Sequence, residues 1–125
     1  MKHFSFLVLT LLSFQIASAQ KIKIKLYNNT GYDLDSVMIV DKFVGKIEKG
    51  EVAIVLYNKQ LIMQGDVPFR RPIAIIKNKK AAKVMLGCST KTKKINSGSL
   101  ELDINFYEAN EGFRLYWQRH LDTLN

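Results

Sequence analysis

From Lys21 to Tyr27 the chain alternates without a break: Ile22, Ile24 and Leu26 fall on one side, and Lys21, Lys23, Lys25 and Tyr27 on the other. A period of two is met only by an extended strand with one face buried and one face wet. The pattern returns near the end of the chain. Leu100, Leu102, Ile104 and Phe106 oppose Glu101, Asp103, Asn105 and Tyr107, and Phe113, Leu115 and Trp117 oppose Arg114, Tyr116 and Gln118. No window carries a convincing 3.6-residue period of an amphipathic helix, Asn58–Gln64 alone leaving room for one helical turn. A chain written this way must build from sheets, and their apolar faces need a second layer to cover them.

The residues between supply further strands and the turns that separate them. Asn28-Asn29-Thr30-Gly31 is made of turn formers and ends the first strand. Leu34–Asp41, with Val37-Met-Ile-Val40, reads as a strand buried on both faces, and Val52–Tyr57 is a second continuous apolar run. Asn58–Pro72 holds Gly65 and both prolines and reads as a long loop with an edge strand near Leu61–Gln64. Ile73–Lys77 and Ala81–Cys88 flank Asn78-Lys79-Lys80 as a hairpin, and Ser89–Ser99 reads as polar loop. One spacing recurs: Ile47-x-x-Gly50-x-Val52-x-Ile54 matches Ile95-x-x-Gly98-x-Leu100-x-Leu102, a glycine turn set just before a strand. Seven or eight strands in about 100 residues predict an all-β, two-sheet antiparallel sandwich, immunoglobulin-like or similar. The alternative is a closed barrel.

Residues 1–19 stand apart from this pattern. Met1-Lys2-His3 is a short positive start, Phe4–Phe14 is apolar, and Ala17-Ser18-Ala19 is the small-x-small signature of a signal-peptidase site. The apolar run is shorter than the roughly 20 residues that span a bilayer, and no cysteine follows the cleavage site to take a lipid. The expected product is a secreted or periplasmic single domain of residues 20–125 without a transmembrane segment. Cys88 is the sole cysteine, so no disulfide can form within the monomer. It reads as a small buried apolar residue, the alternative being an intermolecular bridge.

Lys2 leaves with the leader, so 18 basic side chains face 11 acidic ones, a net of +7. Between Asp66 and Glu101 there is no acidic residue, and nine of the basic ones fall there. The clusters Lys77, Lys79, Lys80 and Lys91, Lys93, Lys94, with Lys83 between them, are the candidate binding residues. Such a field attracts an anionic polysaccharide or an acidic protein. A solvated, edge-protecting face is the alternative reading. Nucleic acid is not expected as a partner, since no aromatic platform is interleaved with the lysines.

Catalysis and cofactor binding are not expected. The only histidine of the mature chain is His120, in a stretch that reads as a loose tail, and a nucleophile–base pair needs an oriented base. No Cys-x-x-Cys, paired histidines or calcium loop is present, so no metal site is expected. Glu101 and Asp103 share the wet face of a strand and read as solvated, as do Asp33 and Asp35 at a turn. Trp117 reads as a core side chain, the alternative being a sugar-stacking platform.

Asn28-Asn29-Thr30-Gly31-Tyr32 and the later Arg71-Pro72 resemble parts of the chagasin family, immunoglobulin-like inhibitors of papain-type cysteine proteases. That family inserts an Asn-Pro-Thr-Thr-Gly-Tyr-like loop, a Gly-rich loop and an Arg-Pro-aromatic loop into the protease cleft. Here the first motif lacks its proline and second threonine, the Gly-rich motif is missing, and Ile73 follows Pro72. The resemblance implies protease inhibition as the alternative function. More broadly the chain resembles small secreted β-sandwich proteins of the Bacteroidota, a similarity that carries no activity.

Overall fold

The computed structural model describes residues 21–82, 91–110 and 112–121. Residues 1–19, read from sequence as a leader, lie outside the described residues, as do Lys83 and Cys88. The fold is all-β and sandwich-like. Its strands are β1 (Ile22–Asn28), β2 (Leu34–Ile39), β3 (Lys42–Ile47), β4 (Val52–Tyr57), β5 (Leu61–Gln64) and β6 (Val67–Pro68). They continue as β7 (Ile73–Ile76), β8 (Lys79–Lys80), β9 (Thr92–Ile95), β10 (Gly98–Ala109) and β11 (Gly112–Arg119). Among the described residues these eleven make three sheets, ordered β11-β10-β1-β4, β3-β2-β7-β8 and β6-β5-β9. The count exceeds seven or eight because two-residue pieces and the β9 segment pair as strands.

The first strand organises the rest. β1 sits inside its sheet, antiparallel to β4 and parallel to β10. The parallel pair departs from an all-antiparallel layout, and the chain passes through the other two sheets before β10 returns beside β1. Ile22, Ile24 and Leu26 are at most 2% exposed. Each such side chain contributes about 1.5–3 kcal/mol on burial. They pack with Leu34, Val37, Leu61, Met63, Leu102, Ile104 and Leu115 in one core fed by all three sheets. Phe113, Leu115 and Trp117 are buried as their alternation requires, and the indole nitrogen of Trp117 donates to the Arg70 carbonyl at 2.8 Å. Trp117 therefore has its partner in the core and is not a surface platform.

The corner after β1 is held by a buried amide. Asn28 is 2% exposed, and its nitrogen donates to the carbonyls of Tyr32, Ile47 and Glu48 at 2.8, 3.0 and 3.1 Å. Its oxygen accepts from the Thr30 amide at 3.1 Å and the Thr30 hydroxyl at 2.6 Å. One side chain thus ties the β1 corner to the end of β3, with Asn28 and Thr30 buried and Asn29 exposed.

Several local readings change. The β7–β8 turn is Lys77-Asn78, both at positive φ (49° and 66°), and Lys79-Lys80 are strand residues. Two residues of positive φ match the twist of a hairpin, so the turn moves one step earlier than the Asn-Lys-Lys sequence implies. β5 lies at the centre of its sheet, between β6 and β9, and is not an edge. β2 has register shifts around Ser36 at φ 51°, which leave Met38 half-buried. β4 buries Val55 and Tyr57 and exposes Val52, Ile54 and Leu56. A continuous apolar run does not choose a face; the pairing with β1 and the bond from the Tyr57 hydroxyl to Asp41 at 3.0 Å choose it. The recurring glycine spacing is real in the backbone, since Gly50 and Gly98 both take positive φ, and the strands they launch flank β1 on its two sides.

Candidate functional site

Alternation points Lys23 and Lys25 out of β1, and the parallel register sets Ser99 opposite Lys23 and Glu101 opposite Lys25. At this end the β5–β9 pair approaches the first sheet and leaves a groove of about 590 Å³. One wall carries Lys23, Lys25, Ser99 and Glu101; Arg119 and His120 come from the end of β11. Lys93, Asp66 and Gly65 form the facing side, with Met63, Ile95 and Leu100 as the apolar part of the lining.

The groove is basic: Lys23, Lys25, Lys93 and Arg119 against Asp66 and Glu101. Lys25 lies 3.8 Å from Glu101, and Arg119 lies 3.8 Å from Asp66, with every partner at least 40% exposed. Exposed pairs of this length contribute roughly 0–1 kcal/mol. Their cations can turn to an incoming anion at little cost.

His120 is part of this site and not of a loose tail. Its amide donates to the Glu101 carbonyl at 3.0 Å, which extends the β10–β11 ladder by one residue. Its ring lies flat on Tyr27, centroids 3.6 Å apart and planes within 4°. The Nδ1 atom sits 2.6 Å from Asp103 Oδ1, and these side chains are 21% and 13% exposed. Asp103 is therefore a half-buried partner and not a solvated acid. Tyr27 completes the cluster by donating to Glu101 at 3.2 Å, with Lys25 Nζ 5.4 Å from its ring. Fixed on two sides, the imidazole forms a stiff end to the groove.

The lysines singled out by sequence do not gather in one place. Lys93 enters the groove; Lys94 is its neighbour on β9, opposite Ile62, and Lys91 is exposed just before that strand. These residues lie on or beside a strand and not in a loop, because β5 supplies a pairing partner that composition does not reveal. Lys79 and Lys80 form the short edge strand β8, and Lys77 places its ammonium 5.3 Å from the Tyr32 ring. Tyr32 belongs to the Asn28 corner, whereas the groove opens near Lys23. Lys77 thus sits by the Asn28 end of β1, and Lys23 lies five residues away along that strand, about 16 Å at 3.3 Å per residue. Lys23, Lys25, Arg119 and His120 were not among the sequence candidates. The signal available for the first two was the row of lysines on the wet face of β1; nothing local marked the others.

A smaller cavity of about 290 Å³ lies beside Asp41, Tyr57, Lys59 and Arg70. The Lys59 ammonium, 2.6 Å from the carboxylate, and then the Tyr57 hydroxyl hold the Asp41 carboxyl below its usual range. Burial, and then the same carboxylate, push the Tyr57 phenol up. Arg71 and Arg114 draw the exposed Tyr107 phenol down. Among the described residues no three of His, Cys, Asp and Glu are grouped to hold a metal ion. Comparison with protein-family models, curated proteins and solved structures finds no match.

Proposed function

We propose that the mature protein is an exported, non-catalytic binding module of the cell envelope that holds an anionic polysaccharide in the groove between β1–β10 and β5–β9. The observation that carries this reading is the imbalance of four cations against two exposed carboxylates around a concave space of about 590 Å³. Successive outward lysines of β1 lie two residues apart, about 6.6 Å along the strand. A thin polyanion laid along β1 meets Lys23 and Lys25 in turn and faces Lys93 across the groove. An acidic protein would have to insert a projecting loop to reach the same three ammonium groups. Export rests on the three-part leader of residues 1–19. Among the described residues no helix is long and apolar enough to cross a membrane.

Retention on immobilised heparin, a sulfated polysaccharide, tests the reading. The Lys23→Gln, Lys93→Gln, Arg119→Gln triple variant should elute at clearly lower salt than the wild type. The Lys77→Gln, Lys79→Gln, Lys80→Gln variant, altered at the other end of β1, should elute close to it. Exposed substitutions of this kind change stability by about 0.5 kcal/mol or less each, so thermal midpoints should stay together. Elution of the first variant with the wild type would overturn the assignment.

A further inference from the structure

We propose that β4 is a dimerisation edge, which pairs antiparallel with β4 of a second copy and joins two four-stranded sheets into one of eight. A free strand edge offers unpaired amides and carbonyls, and soluble β proteins blunt such edges with charge, proline or bulges. Every other edge among the described residues is blunted in this way. β3 carries Lys42 and Lys46 and is irregular near Gly45; β6 ends in Pro68; β8 is Lys79-Lys80. β9 carries Lys93 and Lys94, and β11 carries Arg114 and Arg119. β4 reads Val-Ala-Ile-Val-Leu-Tyr, with no charge, no proline and an unbroken register to β1.

Hydrogen-bond parity leaves the apolar side chains and the open backbone on the same residues. The Asn28 amide donates to the Glu51 carbonyl, which extends the β1–β4 ladder outward by one pair. In an antiparallel ladder bonded pairs recur every second residue, so Ala53, Val55 and Tyr57 turn their backbone groups to β1. Those of Val52, Ile54 and Leu56 face away from it. These three are 45%, 60% and 47% exposed. Of their carbonyls, Leu56's accepts the flexible, half-exposed Lys42 ammonium, which a partner amide can displace.

Symmetry and charge select a second copy in antiparallel orientation. A two-fold axis at Ile54 sets Ile54 against its own counterpart and Val52 against the partner's Leu56, apolar on apolar throughout. The start of β4 is flanked by Glu48, Lys49 and Glu51, and its end by Lys42, Lys59 and Asp41, which the bonds to Leu56 and Tyr57 hold there. Antiparallel pairing lays the net-negative flank of one copy on the net-positive flank of the other, twice. Parallel pairing would set like on like.

Sedimentation velocity from micromolar to near-millimolar protein reads the association, and amide hydrogen exchange reads the contact. The wild type should shift from monomer to dimer with concentration, with protection appearing at Val52, Ile54 and Leu56 while Val55 stays protected throughout. Ile54→Lys, a charge of the kind that guards the other edges, should raise the dimer dissociation constant about tenfold or more. The thermal midpoint of the dilute monomer should be retained. A wild type that stays monomeric over this range, or a dimer that survives Ile54→Lys with Val52, Ile54 and Leu56 unprotected, would overturn the proposal.

Discussion

Replacing Asn28 with alanine should cost the domain about 3 kcal/mol. The amide serves five groups of the corner, but they are not equally vulnerable. The carbonyls of Tyr32 and Glu48 sit at the boundary, where water can replace the lost donor; the bond to the Ile47 carbonyl and the bonds from Thr30 are buried. Counting only the Ile47 carbonyl and the Thr30 amide as stranded, at about 1–3 kcal/mol each, gives about 2–6 kcal/mol, and the figure of about 3 kcal/mol takes the lower half of that range. Urea unfolding followed by far-UV circular dichroism is the assay. With a slope near 1–1.5 kcal/mol/M for a domain of this size, the midpoint should fall by about 2–3 M with the slope unchanged. Asn28→Asp is the sharper control, because it keeps the volume and the acceptor for Thr30 but sets oxygen against three carbonyls. If the alanine variant loses less than about 1 kcal/mol, or the aspartate variant unfolds with the wild type, the amide is not what fastens β1 to the end of β3.

Other consequences are local. Lys77→Asn with Asn78→Gly places the residues favoured for a hairpin of two positive φ values in the β7–β8 turn and should raise stability by about 1 kcal/mol, read as a thermal shift of several degrees. Asp41→Asn should lower stability at neutral pH. Because the native carboxyl titrates below its ordinary value of 3.8, the wild-type advantage should be complete above about pH 4. It should vanish as pH falls through the native value, so urea midpoints of the two proteins should converge in acid. The Tyr57 phenol titrates above its ordinary value of 10.0, so its contribution should persist up to that pH and disappear only in stronger alkali.

The strands whose alternation is clean were legible from sequence, down to the buried face: β1, the centre of β10 and β11 show the expected side chains inside. What was illegible has physical causes. β4 is apolar at every position, so hydrophobicity carries no information about its face, and distant partners decide it. β9 is half lysine and becomes a strand only because β5 lies alongside. The parallel β1–β10 pair joins residues more than 70 positions apart, and no local signal announces it. From sequence His120 reads as part of a loose tail after Arg119. Its anchors, Tyr27, Glu101 and Asp103, come from strands that only the completed sheet assembles. The lysines were visible as a charge excess, but that excess marks anion attraction and edge protection alike. Only the fold separates Lys93, inside the groove, from Lys77 beside the Tyr32 ring and Lys79-Lys80 on the edge strand β8.

The central claim is that the anion site is the groove, and amide chemical-shift mapping with a sulfated oligosaccharide tests it most directly. Titration at low salt should move Lys23, Lys25, Lys93, Ser99, Arg119 and His120 together along one binding curve. Raising the ionic strength past the point where the screening length falls below about 8 Å should weaken that curve. Shifts confined to Lys77–Lys80, or scattered over every exposed lysine without saturation, would contradict it.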